Sequence, residues 1–140
     1  MLPGTILGIR MTSKRFACSL ALLCLPLAAE AQSLAPQTTW VNDHARLVIQ
    51  SVDGQGRLAG TYTNYGAGFG CAGRAFPITG WIDGDMISFT VHRKDPANCT
   101  TIQAWTGVLR EGQLLVDYLA VAAEGGRTGL IKGSDRYRPQ

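Results

Sequence analysis

The sequence is short of charge, of histidine and of long apolar runs. Only 16% of its 140 residues are charged, and no block of like charge occurs. The formal charge is +3, but Arg10, Lys14, Arg15 and Glu30 all fall in the first 31 residues, leaving ten basic against nine acidic residues in the remainder. A nucleic-acid or membrane-surface role therefore has no electrostatic footing. The 2 histidines and 4 cysteines do not stand at metal-ligand spacing, which argues against zinc. No apolar run approaches the length of a bilayer span, and no segment holds a helical period. What the chain does have is 17 glycines in a composition that is 46% hydrophobic. That profile excludes a disordered, collagen-like or coiled-coil protein and suits one small domain.

The first segment reads as an address. Lys14-Arg15 precedes the apolar run Phe16–Leu25, and Pro26-Leu-Ala-Ala-Glu-Ala31 ends in an Ala-x-Ala pattern. A positive start, an apolar core of about ten residues and a small-residue end describe a secretory signal peptide. Met11 suffices as its start, and bulky Leu23 before Cys24 argues against a lipid anchor there. Cleavage after Ala31 predicts a secreted or periplasmic protein of residues 32–140, opening on a flexible lead-in from Gln32 to Gln37. Cys18 and Cys24 leave with the leader, so Cys71 and Cys99 remain. In an oxidising compartment they most simply pair, two free buried thiols being the alternative. Closing that loop stabilises by about 3–4 kcal/mol in the chain-entropy view.

Beyond residue 37, short strand-like runs alternate with turns. Leu47–Val52 meets Asp53-Gly-Gln-Gly56 before Leu58–Tyr62, and Phe76–Ile82 meets Asp83-Gly-Asp85 before Met86–Val91. Thr100–Leu109 meets Arg110-Glu-Gly112 before Gln113–Ala122, and Glu124-Gly-Gly-Arg127 leads to Thr128–Tyr137. Asp-Gly pairs supply the positive φ that tight hairpins need. With Thr38–Asn42 as the first strand, the pattern predicts an all-β, eight-stranded antiparallel up-and-down barrel, whose closure removes exposed edges. Gly60, Gly80 and Gly107 interrupt strand runs, which is costly unless backbones approach closely there.

These runs carry a resemblance. Trp40-Val-Asn42, Gly60-Thr-Tyr-Thr-Asn64, Gly70-Cys71, Pro77-Ile-Thr-Gly80, Asn98-Cys99, Ala104-Trp-Thr-Gly107, Glu124-Gly-Gly126 and Gly133-Ser-Asp135 stand in an order and spacing similar to the avidin and streptavidin family. The likeness is to its short, disulfide-containing dimeric members and runs from about Thr39 to Tyr137. It implies biotin as a ligand, with no cofactor. Asn42 and Tyr62 match donors to the ureido oxygen, and Asn64 and Asp135 match acceptors of the ureido N–H groups. Trp105 matches an aromatic wall, and Thr101 a rim hydroxyl for the valerate carboxylate. The loop Tyr65–Ala72 would cover the mouth. Four positions depart: Arg46 for a small serine donor, Gln103 for a threonine facing the ring sulfur, and Arg93 and Leu119 for wall tryptophans. Losing two aromatic walls implies an affinity weaker by several kcal/mol.

Plainer readings apply to the same residues. Asn42 can cap a turn, Tyr62 and Trp105 can be core aromatics, and Gly-Ser-Asp135 is a common turn composition. Trp40 and Trp81 are assigned to packing or a dimer face. His44 and His92 fall in or beside loops, where histidines are usually solvated. With Asp117, Glu124 and Asp135 they offer acid and base groups, but no triad spacing or nucleophile elbow accompanies them, so no enzyme is expected. Two other readings keep the barrel. One is a secreted interaction module taking an anionic ligand or a protein partner through Arg46 and Arg93. The other is an inhibitor plugging an enzyme with the 65–72 loop. The last loop lacks the tryptophan that the family's tetramers lend a neighbour, which points to a homodimer or an assembly of dimers.

Overall fold

A computed structural model of the chain describes residues 33–67, 70–94, 99–124 and 127–140. Eight strands follow one another: β1 (Thr38–Val41), β2 (Ala45–Val52), β3 (Arg57–Asn64), β4 (Ala75–Asp83), β5 (Met86–Arg93), β6 (Thr101–Arg110), β7 (Gln113–Glu124) and β8 (Arg127–Pro139). Each pairs antiparallel with its neighbours in the chain, and β1 meets β8 through Trp40↔Pro139 and Val41↔Arg138. The sheet is thus a closed barrel, as the alternation of short runs and turns predicts. The leader expected over residues 1–31 lies outside the described residues.

Turn chemistry sets the hairpins. The Asp53 carboxylate accepts from the N–H groups of Gln55 and Arg57 and from Arg57 Nε at 2.8 Å, while Gly56 turns the chain at φ 78°. Hydrogen bonds to the charged form hold the Asp53 carboxyl below its ordinary value, those from the Gln55 and Arg57 amides first. Period-two alternation then divides each wall strand. Phe76, Ile78, Ile87, Phe89 and Val91 are buried, whereas Pro77, Ser88 and Thr90 between them are exposed. With Leu47, Ile49, Leu58, Leu114, Val116 and Tyr137 they fill the barrel. At Gly60, Gly80 and Gly107 a Cβ would collide with the carbonyl oxygen of Val48, Ser88 or Leu115. Those glycines mark close backbone approaches.

Residues 33–37 do not extend loosely, contrary to the sequence expectation. Leu34 is buried in the core, the Gln37 N–H donates to Ile49 O, and the Gln37 side chain donates to Gln50 O. An apolar residue just before the first strand covers the barrel's end instead of entering solvent. Cys71 and Cys99 form a disulfide, with Cα atoms 5.8 Å apart. It ties the β3–β4 connection to the β5–β6 connection. Antiparallel order puts both at the same end as the β1–β2 turn and the β7–β8 hairpin.

Candidate ligand site

Alternation decides which side chains reach the interior. On β6 it turns Thr101, Gln103 and Trp105 inward, and on β3 it turns Tyr62 and Asn64 the same way. Arg93 ends the buried row of β5, and β8 contributes Asp135 and Tyr137. Trp105 is the centre of an aromatic cluster: its ring lies 4.5 Å from Tyr118, 5.2 Å from Tyr62 and 5.7 Å from Phe89, the last stacked. Arg93 is 1% exposed, with its guanidinium 5.2 Å from the Tyr62 ring and 5.9 Å from that of Phe76. Aromatic faces are a favourable place to desolvate a guanidinium.

Polar groups converge on these rings. Tyr137 and Asn64 lie near the Tyr62 phenol, and Tyr137 donates its hydroxyl proton to Asp135 Oδ2 at 3.3 Å. Burial pushes the Tyr62 phenol up, and it drives Tyr137 far above the ordinary tyrosine range. Burial lowers Arg93, while the nearby Tyr62 works against that shift. Two of the polar side chains also hold backbone. Asn42 Oδ1 accepts the His44 N–H at 3.0 Å, the turn-capping role, and Asn64 Oδ1 accepts the Gly66 N–H at 2.6 Å. On β6 the balance is different. Thr101 Oγ1, Gln103 Oε1 and Trp105 Nε1 are buried without a hydrogen-bond partner among the described residues. Such groups are costly to leave unmet, and three in a row on one inward stripe await a polar ligand or ordered water.

Two expected pocket residues face the other way. Arg46 lies on the outer wall, donating from Nη2 to Gln140 Oε1 at 2.9 Å. The inward position beside it belongs to Ala45, because β2 begins there and Ala45, Leu47 and Ile49 form its buried row. Leu119 is 48% exposed on the outer wall, and Tyr118 takes the inward place. Counting in twos from buried Leu114 and Val116 reaches Tyr118, a signal present in the sequence. Of the two arginines expected at the mouth, only Arg93 points inside. Trp40 is buried in the core, as the packing assignment expects, while Trp81 is exposed. Tyr137 and His44 join the site without having been foreseen there. His44 reaches Asp135 Oδ1 with Nε2 at 3.5 Å.

A small antiparallel barrel with rings and polar groups gathered inside one end is of the class that encloses a single small molecule. The chain belongs to the avidin family, whose family model (Avidin family) matches residues 30–120. It is 31% identical over 108 residues to Afifavidin of Afifella pfennigii, covering 74% of this chain and 68% of that one. Among solved structures, apo shwanavidin superimposes with a TM-score of 0.65 at 32% identity, over 77% of this chain and 98% of that chain. A rhizavidin–biotin complex does so with a TM-score of 0.68 at 25% identity, over 76% and 92%.

Proposed function

We propose that this protein is a secreted, non-enzymatic binder of biotin. The observation that carries the reading is the gathering of Tyr62, Asn64, Trp105 and Asp135 inside one end of a closed barrel, beside the unpartnered polar row of β6. A cyclic urea fits those groups: its oxygen accepts from Tyr62 and the Asn42 amide, and its two N–H groups donate to Asn64 and Asp135. A flat apolar body suits Trp105 and Tyr118, and Gln103 and Thr101 meet the remaining polar atoms. Rhizavidin, which this chain resembles, has been solved with biotin. Affinity is weaker than in members with a full tryptophan wall, because Arg93 stands where one of those rings would be.

Arg93 also favours a second reading, in which the barrel takes a different, anionic small ligand. A buried guanidinium beside the Thr101 hydroxyl, which meets no partner among the described residues, is suited to a carboxylate. Isothermal titration of biotin into the oxidised protein separates the two. Saturable binding near one per chain, weakened at least tenfold by Asp135→Ala, supports the first. A folded protein that gives no heat at several temperatures refutes it.

Export and assembly complete the proposal. The disulfide suits an oxidising compartment, in agreement with the leader pattern. The outer wall of β6, β7 and β8 carries an exposed apolar row, Ile102–Val121–Leu130, with Leu119 beside it. A groove of about 740 Å³, lined in part by Thr106, Asp117, Ser134 and Arg136, continues that wall. A second copy of the chain covering this face makes a homodimer. Light scattering should report a dimer that Leu119→Glu shifts towards monomer.

A further inference from the structure

His44 sits in the turn between β1 and β2, with its backbone held on both sides. Its N–H donates to Asn42 Oδ1 at 3.0 Å, and its carbonyl accepts from the Tyr65 N–H at 2.6 Å. Those two bonds aim the imidazole across the rim towards β8, where Nε2 stands 3.5 Å from Asp135 Oδ1. The imidazole side chain is 50% exposed and the carboxylate side chain 14%. The other carboxylate oxygen, Oδ2, receives the Tyr137 hydroxyl. Asp135 is therefore held by two different groups. Tyr137 keeps its proton at any physiological pH, because burial pushes it upward. An imidazole is the side chain whose charge ordinarily changes between pH 5 and 8.

We infer that His44 is a positioning residue for the Asp135 carboxylate, and that a proton on His44 competes with the ligand for Oδ1, so that the site loosens its ligand as pH falls. The inference rests on Asp135 accepting a ligand N–H, the reading proposed above. With His44 neutral, the contact is weak and the lone pairs of Oδ1 remain available. With His44 charged, the contact becomes a charge-assisted one, which draws the carboxylate to the rim and makes Oδ1 a poorer acceptor. Proton and ligand then oppose each other at one atom, and the coupling is reciprocal: the ligand also lowers the affinity of His44 for its proton. The surrounding charged and titratable groups are Asp43 in the same turn, which faces Arg138 of β8 at 3.9 Å, and the neutral phenols Tyr62 of β3 and Tyr137 of β8 near Asp135. Arg93 of β5 lies beyond Tyr62. Of the neutral-range titrating side chains, His92 is exposed on the outer wall of β5 and serves as an internal reference.

Two measurements test the inference. The first is biotin affinity between pH 8 and pH 5.5, a window above the ordinary range of carboxylates. The expected loss is roughly threefold to tenfold in the native protein, with a flat profile in His44→Gln. The second needs no ligand: NMR spectra of the His44 ring in the full chain. Its resonances should move in Asp135→Asn, while those of His92 stay in place. A flat native profile, an equal slope in His44→Gln, or His44 resonances indifferent to Asp135→Asn overturns the inference. Absence of biotin binding at every pH overturns the functional reading and the coupling with it, and the ring spectra still decide separately whether His44 and Asp135 are paired.

Discussion

Tyr118 lies over Gly133. The two face each other across β7 and β8, and a Cβ on Gly133 would stand 2.5 Å from the Tyr118 hydroxyl oxygen and against its ring. A missing side chain on one strand makes the space for an aromatic on the next, and that aromatic completes the cluster around Trp105.

Gly133→Ala should therefore act through Tyr118. Overpacking of this kind costs about 1–3 kcal/mol, read as a lowered Tm. Because the ring that moves touches Trp105, the tryptophan emission should change with it. Gly133→Ala combined with Tyr118→Leu should recover much of the lost stability, since the second change vacates the contested volume.

Removing the disulfide should loosen the ligand end of the barrel. A Cys71→Ala/Cys99→Ala protein is expected to lose about 3–4 kcal/mol, following the loop-closure estimate, measured by denaturant unfolding against the oxidised parent. Both cysteines lie in connections at the end that holds the site. Ligand dissociation should accordingly quicken more than association.

Alkali should destabilise the fold through Tyr62 and Tyr137. Both phenols are raised by burial, so the folded state keeps protons that the unfolded state sheds above about pH 10. Their contribution is fully present below that pH and is lost as pH rises towards the folded-state values. Each tyrosine removes about 1.4 kcal/mol per pH unit within this window. Denaturant midpoints measured from pH 8 upward should fall steeply past pH 10, and less steeply in Tyr137→Phe. An unchanged midpoint up to pH 12 would contradict the burial of both phenols.

Arg46→Ala should leave ligand affinity within about 0.5 kcal/mol of the parent, as expected of a surface substitution away from the site. Titration calorimetry of the two proteins checks the outward placement of this side chain.

The sequence made the architecture legible because the signals involved are local. Asp53-Gly54 and Asp83-Gly84 mark hairpins, and Phe76, Ile78, Ile87, Phe89 and Val91 beat with the period of a strand. The interior was harder to read, and Arg46 and Leu119 show why. Each stands one residue from an inward position, and in a strand one residue is the whole difference between core and solvent. The match to a family serine position implies a ligand role for Arg46, whereas the start of β2 at Ala45 sets the phase. Leu34 was hidden for another reason: a single apolar residue in a polar lead-in has no period to announce it. His44 was read as a solvated loop residue, and half of its side chain is. What brings it to Asp135 is a contact across 91 positions of sequence, which no local pattern encodes.

The short pairing of β1 with β8 has a mechanical consequence. Eleven register pairs join β7 to β8, whereas only two join β1 to β8, with the Gln140 N–H bonded to Thr39 O beyond them. The barrel is a zipper with one short run of teeth, and that is where local opening should begin. Asn42 and His44 hang from one side of this seam and Asp135 from the other. A ligand held by Asn42 and Asp135 at once would stitch the two sides together. Amide exchange at Val41 and Arg138 would then slow on binding as if a third tooth had closed.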